Sequence, residues 1–497
     1  MKYNSYIIKC IFASLLVASI ASCTDTIDVE PRQSIPAETA LTNVDNVDAA
    51  ITSVYSTLKS TALYGNRLIT LPDALADNGQ ATNKSGRLLN ESRNVRGAHF
   101  SHWATSYNNI NKINQILEAI PALTGPTLTD ARKNQYIGEL KCLRALLVFD
   151  LVRAYAYIPG ATVAAKEFGG VPLLFKATTN ITDALALKPS RATLTATYDA
   201  IYKDLDDALP IINTTSAVSR VNRTTALALY SRVALYRKDF AKVIAVSTEA
   251  INLVGSRLLS PSTYINGWST GVNPESIFEV TFQINSENIG VNESLQTSFT
   301  TLVIRGNRAQ TGGFGDLVPT STMLADLGIT ATGNGTTAAA ITARSGDVRN
   351  LLFELGTTGR GSPFVECTKF LGKNGSINLD NVPVFRVAEL YLNRAEAYAE
   401  TGDAASALLD VNRIRANRGL ADVTGLTGLP LINQILLQDR VEFAFEGHRF
   451  FDLKRRGLDI LKPATSTTLA FTDDVILPGI PQADLDGNPN LKQNNGY

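Results

Sequence analysis

Histidine, cysteine and tryptophan are scarce in this chain: three, four and two residues among 497. Three histidines leave little room for metal or acid–base chemistry. The only close pair, His99 and His102, has no third ligand at zinc-site spacing, so neither a metal nor another cofactor is expected. Excess charge is missing too, since Lys plus Arg equals Asp plus Glu at 46 each. Setting aside residues 1–22, which hold Lys2 and Lys9 and no acid, leaves the remainder slightly acidic. A surface that grips nucleic acid through phosphates needs the opposite balance. No run of 18 apolar residues follows residue 22, so the body is not expected to span a membrane as helices.

Recognisable catalytic patterns are missing as well. The acids are scattered, and no pair stands out as the two carboxylates of a glycosidase. Gly312-Gly313-Phe314-Gly315 lacks the Lys-Ser/Thr of a phosphate loop and reads as a flexible loop. Asp484-x-Asp486-Gly487-Asn488 has its glycine too early for an EF-hand and no distal Glu. Glu442, Glu446 and Asp452 surround His448, but Glu442, Glu446 and Arg449 at helical steps read as a structural salt-bridge network.

What is present begins with the leader. Lys2 and Lys9 precede a short apolar stretch, Cys10 to Ile20, which ends in Ile20-Ala21-Ser22-Cys23. Small residues before a cysteine form a lipobox, which predicts cleavage after Ser22 and lipidation of Cys23. Acyl chains contribute about 0.8 kcal/mol per buried CH₂, so two or three would hold a soluble body on a bilayer. Residues 24–37 are polar, with Pro31 and Pro36, and read as a tether. Export would permit a Cys142–Cys367 disulfide, but spacing alone cannot pair them. The helical context of Cys142 favours a buried small hydrophobe.

Helical periodicity dominates the rest. Leu140, Leu143, Leu147 and Leu151 recur at steps of three and four, and residues 195–209, 225–237 and 240–253 behave alike. A stripe of Val384, Ala388, Tyr391, Ala395 and Tyr398 is followed by another of Ala404, Ala407, Leu408, Val411 and Ile414. Ser231–Asp239–Ala250 and Ala395–Asp403–Ile414 share one spacing. A small residue, a tight turn and an apolar return helix are the logic of a tetratricopeptide repeat. Three segments, 71–97, 255–274 and 290–342, are rich in Gly, Ser, Thr and Asn and read as long loops, with a strand expected at 276–283.

The lipobox, Gly138-Glu139-Leu140-Lys141-Cys142-Leu143-Arg144-Ala145, Gly170-Val171-Pro172-Leu173, residues 384–420 and Glu446-Gly447-His448-Arg449-Phe450-Phe451-Asp452-Leu453 resemble SusD/RagB outer-membrane nutrient-uptake lipoproteins. The likeness runs over essentially all of the chain after the leader; residues 158–168 are longer than usual for the family. It implies a mainly α fold: a SusD-like helical scaffold with tetratricopeptide-like helix pairs and a loop-rich ligand-binding face. The expected division is 1–22 leader, 23–37 tether, 38–275 N-terminal part and 276–497 C-terminal part. It also implies a glycan ligand, with peptides or proteins as the alternative and surface catalysis as a third. The implied partner is a SusC-like TonB-dependent transporter, with the lipoprotein on the outer membrane at the cell surface. Binding residues vary within the family, so candidates come from residue chemistry. Trp268 stands in a segment without helical period and is the first choice for stacking on a sugar. Asn78, Asn83, Lys84 and Arg87 line the first polar segment and suit an anionic or hydroxyl-rich ligand. Trp103 is a further candidate, although Tyr107 and Ile110 at helical steps favour core packing.

Overall fold

The computed structural model describes residues 40–497 apart from 256, 284–285 and 373–375; the leader and Cys23 lie outside the described residues. Helices come first in the chain: α1 (Val44–Leu58), α2 (Arg67–Leu75), α3 (Trp103–Ala119), α4 (Asp130–Tyr155), α5 (Ile181–Ala186), α6 (Leu194–Ala208), α7 (Arg223–Arg237) and α8 (Phe240–Val254). After a ribbon-rich middle come α9 (Val387–Glu400), α10 (Ala404–Asn417), α11 (Gly428–Glu442), α12 (Arg449–Arg455) and α13 (Gln482–Gly487). The expected helical stretches all form. The first C-terminal stripe starts one turn late, because Val384 belongs to a strand.

Short polar side chains set where these helices begin. Asn43, Thr129, Thr193, Asn222, Asp239 and Asp403 each accept the backbone N–H three residues on. Each satisfies a donor the helix cannot, for about 1 kcal/mol. Lys238, at φ 61°, and Gly402, at φ 84°, make the tight turns before α8 and α10. Helices then pack as pairs: α1 with α3, α4 with α6, α7 with α8 and α9 with α10. The pairs stack through α3 on α4, α6 on α7 and α8 on α9. The repeat spacing has a direct cause. Ser231, Ala250, Ala395 and Ile414 are all fully buried at helix crossings. Ser231 also shares a 2.8 Å hydrogen bond with Ser247 of the return helix and accepts one of 3.1 Å from Asn393 of the next pair.

The segments expected to be long loops are more structured than that. The first begins inside α2 and contains strand β1 (Gly79–Ala81), and the second contains a helical turn, Tyr264–Gly267. Strand β2 (Ser276–Val280) follows, buried along its whole length. The third segment folds into β3 (Leu302–Ile304), β4 (Asn307–Thr311), β5 (Leu317–Pro319), β6 (Ile329–Thr332) and β7 (Ala340–Arg344), with short helices at Leu295–Phe299 and Ser321–Asp326. Then come β8 (Phe353–Leu355), β9 (Val365–Cys367) and β10 (Val382–Arg386). Among the described residues the strands pair only in twos: β1 with β5, β2 with β10, β3 with β4, β6 with β7 and β8 with β9, all antiparallel. A last hairpin joins Ile460–Lys462 and Thr467–Leu469.

Candidate functional site

The first polar segment does not stand alone; it is sewn onto the ribbons. Strand β1 pairs with β5, so that Gly79 faces Pro319. Thr82 then donates its backbone N–H to the Asp316 carbonyl at 2.8 Å, and its hydroxyl to the Gly315 carbonyl at 2.8 Å. The chain from Asn83 to Arg87 is thereby laid along the edge of the third segment.

Asn83 is exposed in the left-handed turn conformation at φ 59°, which asparagine tolerates better than most residues. Lys84 points inward, with Nζ 3.2 Å from Glu366 and 4.9 Å above the Phe364 ring. Glu366 is fully buried and also accepts from Thr300 and Thr301. Burial raises its carboxyl above the ordinary value, against the pull of Lys84. Arg87 lies 2.9 Å from the buried Asp316 and donates to the Asn292 carbonyl. Its guanidinium sits 4.6 Å over the half-buried Phe314 ring. The exposed Arg360 lies over the same ring at 4.1 Å. Asn83, Lys84 and Arg87 therefore come together as expected, but the charge of Lys84 is spent inside.

The other three candidates lie elsewhere, each for a packing reason. Asn78 is buried; it donates to Asp73 at 2.8 Å and accepts from Arg440 at 2.8 Å, so both ends of its amide are committed to the frame. Trp268 was expected to stand clear of the core. Instead it is only 8% exposed. It caps the Tyr264–Gly267 turn, and its indole packs at 6.1 Å on Phe370, beneath Lys369 at 5.0 Å and Arg386 at 5.3 Å. Trp103 packs against Tyr107 and Tyr155, each at 5.0 Å, as its helical spacing suggests. It also lines a separate cavity of about 280 Å³ with Tyr107, Leu174, Lys188, Asp484 and Asn488.

The ribbons provide what the sequence reading missed. Arg308, on the fully exposed β4, donates to the Gly356 carbonyl at 2.9 Å, and Thr311 bonds Thr357 at 2.8 Å. These bonds lay residues 356–360 beside the hairpin and carry Arg360 to Phe314. A lone aromatic in a glycine run was the available signal for Phe314. Beside β6, an open hollow of about 530 Å³ is lined by Ser321, Ile329, Thr330, Asn334 and Thr336. Asn334 accepts the Val365 N–H at 2.6 Å, which joins the hollow's wall to the 360–365 segment.

The Glu442–Arg449 region is structural, by a different route from the one expected. Helix α11 ends at Glu442, Phe445 and Gly447 adopt positive φ, and α12 starts at Arg449. A side chain at Gly447 would strike the Leu68 carbonyl at 2.3 Å, so the turn needs glycine. Arg449 pairs with Asp77, not with the glutamates. Arg386 instead meets Glu442 at 2.8 Å, Glu446 at 2.8 Å and Glu275 at 2.9 Å. Arg418 meets Glu275 and Glu442, and Lys369 meets Glu446 at 2.5 Å. All are buried. His448 stacks on Phe443 at 4.4 Å, and burial holds its pKa well below the usual value. Cys142 and Cys367 are both buried as free thiols, so the first is the small hydrophobe its context suggested. Among the described residues, no three His, Cys, Asp or Glu are grouped to hold a metal, and no helix is long and apolar enough to cross a membrane.

Two family models match this arrangement. One, the SusD family, covers residues 357–463; the other, described as starch-binding and associating with the outer membrane, covers 26–235. This chain belongs to the SusD family. It is 24% identical to SusD-like protein P38 of Formosa agariphila over 96% of either chain. A 126-residue stretch, 24% of this chain and 22% of the relative, is 32% identical to the starch-binding protein SusD of Bacteroides thetaiotaomicron. The fold recurs in a SusD superfamily protein of Bacteroides thetaiotaomicron, with a TM-score of 0.76 and 24% identity over 90% of this chain and 99% of that one. It recurs too in a SusD-like carbohydrate-binding protein of Bacteroides vulgatus, with a TM-score of 0.74 and 20% identity over 90% and 97%. The mainly helical SusD scaffold is thus shared.

Proposed function

We propose that this SusD-family chain captures a carbohydrate on its ribbon face and delivers it to a SusC-like TonB-dependent transporter, held on the outer membrane by lipid on Cys23. The observation that carries the reading is the face itself. A half-buried aromatic ring, Phe314, carries two guanidinium groups on ribbons that also border an open hollow lined by hydroxyls, an amide and apolar side chains. Planar polar groups take sugar hydroxyls, and here an aromatic ring holds two of them in place. Capture without catalysis is supported by the buried acids. The Glu442 and Glu446 carboxylates are consumed by arginine and lysine in the core, where no substrate bond can reach them. The starch-binding description of the matching family model and the carbohydrate-binding relative of the same fold agree with this reading.

Peptide capture is the second reading, favoured by β4, whose five residues are all exposed. An extended peptide can add to such a ribbon through backbone hydrogen bonds. A glycan array and a peptide array probed with the purified protein decide between them. Retention on glycans, reduced by Phe314→Ala, is the expected result; retention on peptides alone would replace the carbohydrate reading.

A further inference from the structure

We infer that the ribbon face takes an acidic carbohydrate, one bearing carboxylate or sulfate groups, and that Arg308 and Arg360 are the side chains that meet the anion. The inference rests on the carbohydrate reading above and deepens it. It starts from an inventory of charge on the face. Lys84 is matched by Glu366, Arg87 by Asp316, Arg349 by Asp347 and Arg440 by Asp326. Once these pairs are set aside, Arg305, Arg308, Arg344 and Arg360 remain, against Glu354 and the half-buried Glu293. Glu354 itself accepts the Gly306 N–H at 2.6 Å.

The four arginines are not equivalent. Arg305 is committed to the Thr368 carbonyl at 2.9 Å and the Ser269 hydroxyl at 3.0 Å. Arg344 is committed to the carbonyls of Phe353 and Asn350. Arg308 gives one N–H to Gly356, and Arg360 makes no hydrogen bond among the described residues. Neither has a carboxylate partner there. A guanidinium carries five donors in a planar fork that fits carboxylate or sulfate oxygens two at a time. Arg360 is already oriented, because its plane rests on Phe314 at 4.1 Å; less freedom is lost when it binds. Arg87 lies against the same ring and already has its counter-ion in Asp316 beneath it. The two cations share one aromatic ring with a single fixed acid between them. A ligand anion would balance the remaining charge; a neutral sugar would leave it unbalanced.

The excess does not follow from composition, since the whole chain is charge-balanced. It arises because the fold buries Asp316, Asp347 and Glu366 and leaves Arg308 and Arg360 outside. Nearby exposed Asn83, Asn307 and Gln310 supply the amides that an acidic sugar's hydroxyls also need.

The test uses probes matched in backbone and different in charge. The intact protein is run by native affinity electrophoresis through polygalacturonate and its fully methyl-esterified form, and through carrageenan and agarose. At least one charged member should bind at least about tenfold more tightly than its neutral counterpart, and added salt should weaken the binding. The Arg308→Ala/Arg360→Ala double variant should lose about tenfold or more on that polymer with an unchanged melting temperature. Arg360→Lys, which keeps the charge without the fork, should fall between. Equal retardation by charged and neutral partners, or undiminished binding by the double variant, would overturn the acidic ligand and leave carbohydrate capture standing. Absence of retardation by all four polymers, with retention on peptides, would remove both.

Discussion

Two arginine clusters in this chain have opposite designs. Around Glu442, the cations Arg386, Arg418, Arg349 and Lys369 meet Glu275, Glu442, Glu446 and Asp347, four charges of each sign, all in the core. On the ribbons, Arg308 and Arg360 stand at the surface with no acid beside them among the described residues. The first cluster ties the start of β2, the end of β10 and the ends of α10 and α11 together, and its charges are worth nothing to a ligand. The second makes a single neutral hydrogen bond, from Arg308 to the Gly356 carbonyl, and its charges are available. One residue type thus serves cohesion where the carboxylates are buried with it, and recognition where they are not.

The comparison breaks most sharply at Glu442. Burial alone would raise its carboxyl, but Arg418 and Arg386 hold it well below the ordinary value. Glu442→Ala would leave three buried guanidinium groups each short of one anion. Breaking one partner of such a pair costs about 3–5 kcal/mol, and the upper end is expected here because Arg349, Arg386 and Arg418 all lose a ligand. Denaturant unfolding of the variant checks this; a loss under 1 kcal/mol would show that water reaches the cluster.

Next in size is an apolar contrast. Phe451 is fully buried, stacked on Phe100 at 5.2 Å with Arg153 at 4.2 Å from its ring. Phe451→Ala should cost about 4 kcal/mol by cavity formation, with ligand binding retained in the folded fraction. Trp268→Ala should cost about 3 kcal/mol, because the indole packs on Phe370 and shields Lys369 and Arg386. A melting temperature equal to wild type, together with lost carbohydrate binding, would return Trp268 to the ligand face.

Trp268 also shows where sequence reading stops. Its segment has no helical period, so nothing local predicts burial; its partners Phe370, Lys369 and Arg386 lie about a hundred residues away. The helices were legible because steps of three and four are local, and the shared Ser231 and Ala395 spacing reflects real crossings. The ribbons were not. Residues of β4 are exposed throughout, so no alternation is written into it, and the alternation of β6 runs over only four residues. For the ion cluster, Glu442 and Glu446 were visible, but the expected partner Arg449 pairs with Asp77. The true partners, Arg349, Lys369, Arg386 and Arg418, come from four separate segments that only the fold brings together. On the candidate face, Arg87 was legible as a polar-segment cation. Arg308, Phe314 and Arg360 were not, because their meeting depends on the bonds of β4 to residues 356 and 357.

A smaller effect concerns pH. His102 is fully buried, with Nε2 3.2 Å from the Asp150 carbonyl. Burial lowers its pKa to about 4, against the pull of Asp150. Above about 6.5 the imidazole is neutral in both folded and unfolded chains, so its contribution to stability is complete. Between there and about 4, only the unfolded chain takes the proton, and stability falls as pH falls, by at most about 1.4 kcal/mol per pH unit. Melting temperatures at pH 7 and pH 5.5 should differ in the wild type and differ less in His102→Gln. Parallel shifts in both proteins would assign the pH dependence to other groups.

The smallest expected change in stability is the one that defines the second cluster. Arg360 is exposed, makes no hydrogen bond among the described residues and gains only its rest on Phe314. An exposed cation–π contact contributes about 0.5–1 kcal/mol. Its loss is offset in part by relief from the nearby Arg87 charge, which shares the ring. Arg360→Ala should therefore shift unfolding by no more than about 0.5 kcal/mol, within the range of ordinary surface substitutions. Arg386→Ala, the same change in the core cluster, should cost several times as much, since three buried glutamates each lose one of their cations. Measuring both variants in one denaturant series tests the division directly. A cost for Arg360→Ala comparable to that of Arg386→Ala would mean that the ribbon arginine holds the fold together, and that the two clusters do not differ in kind.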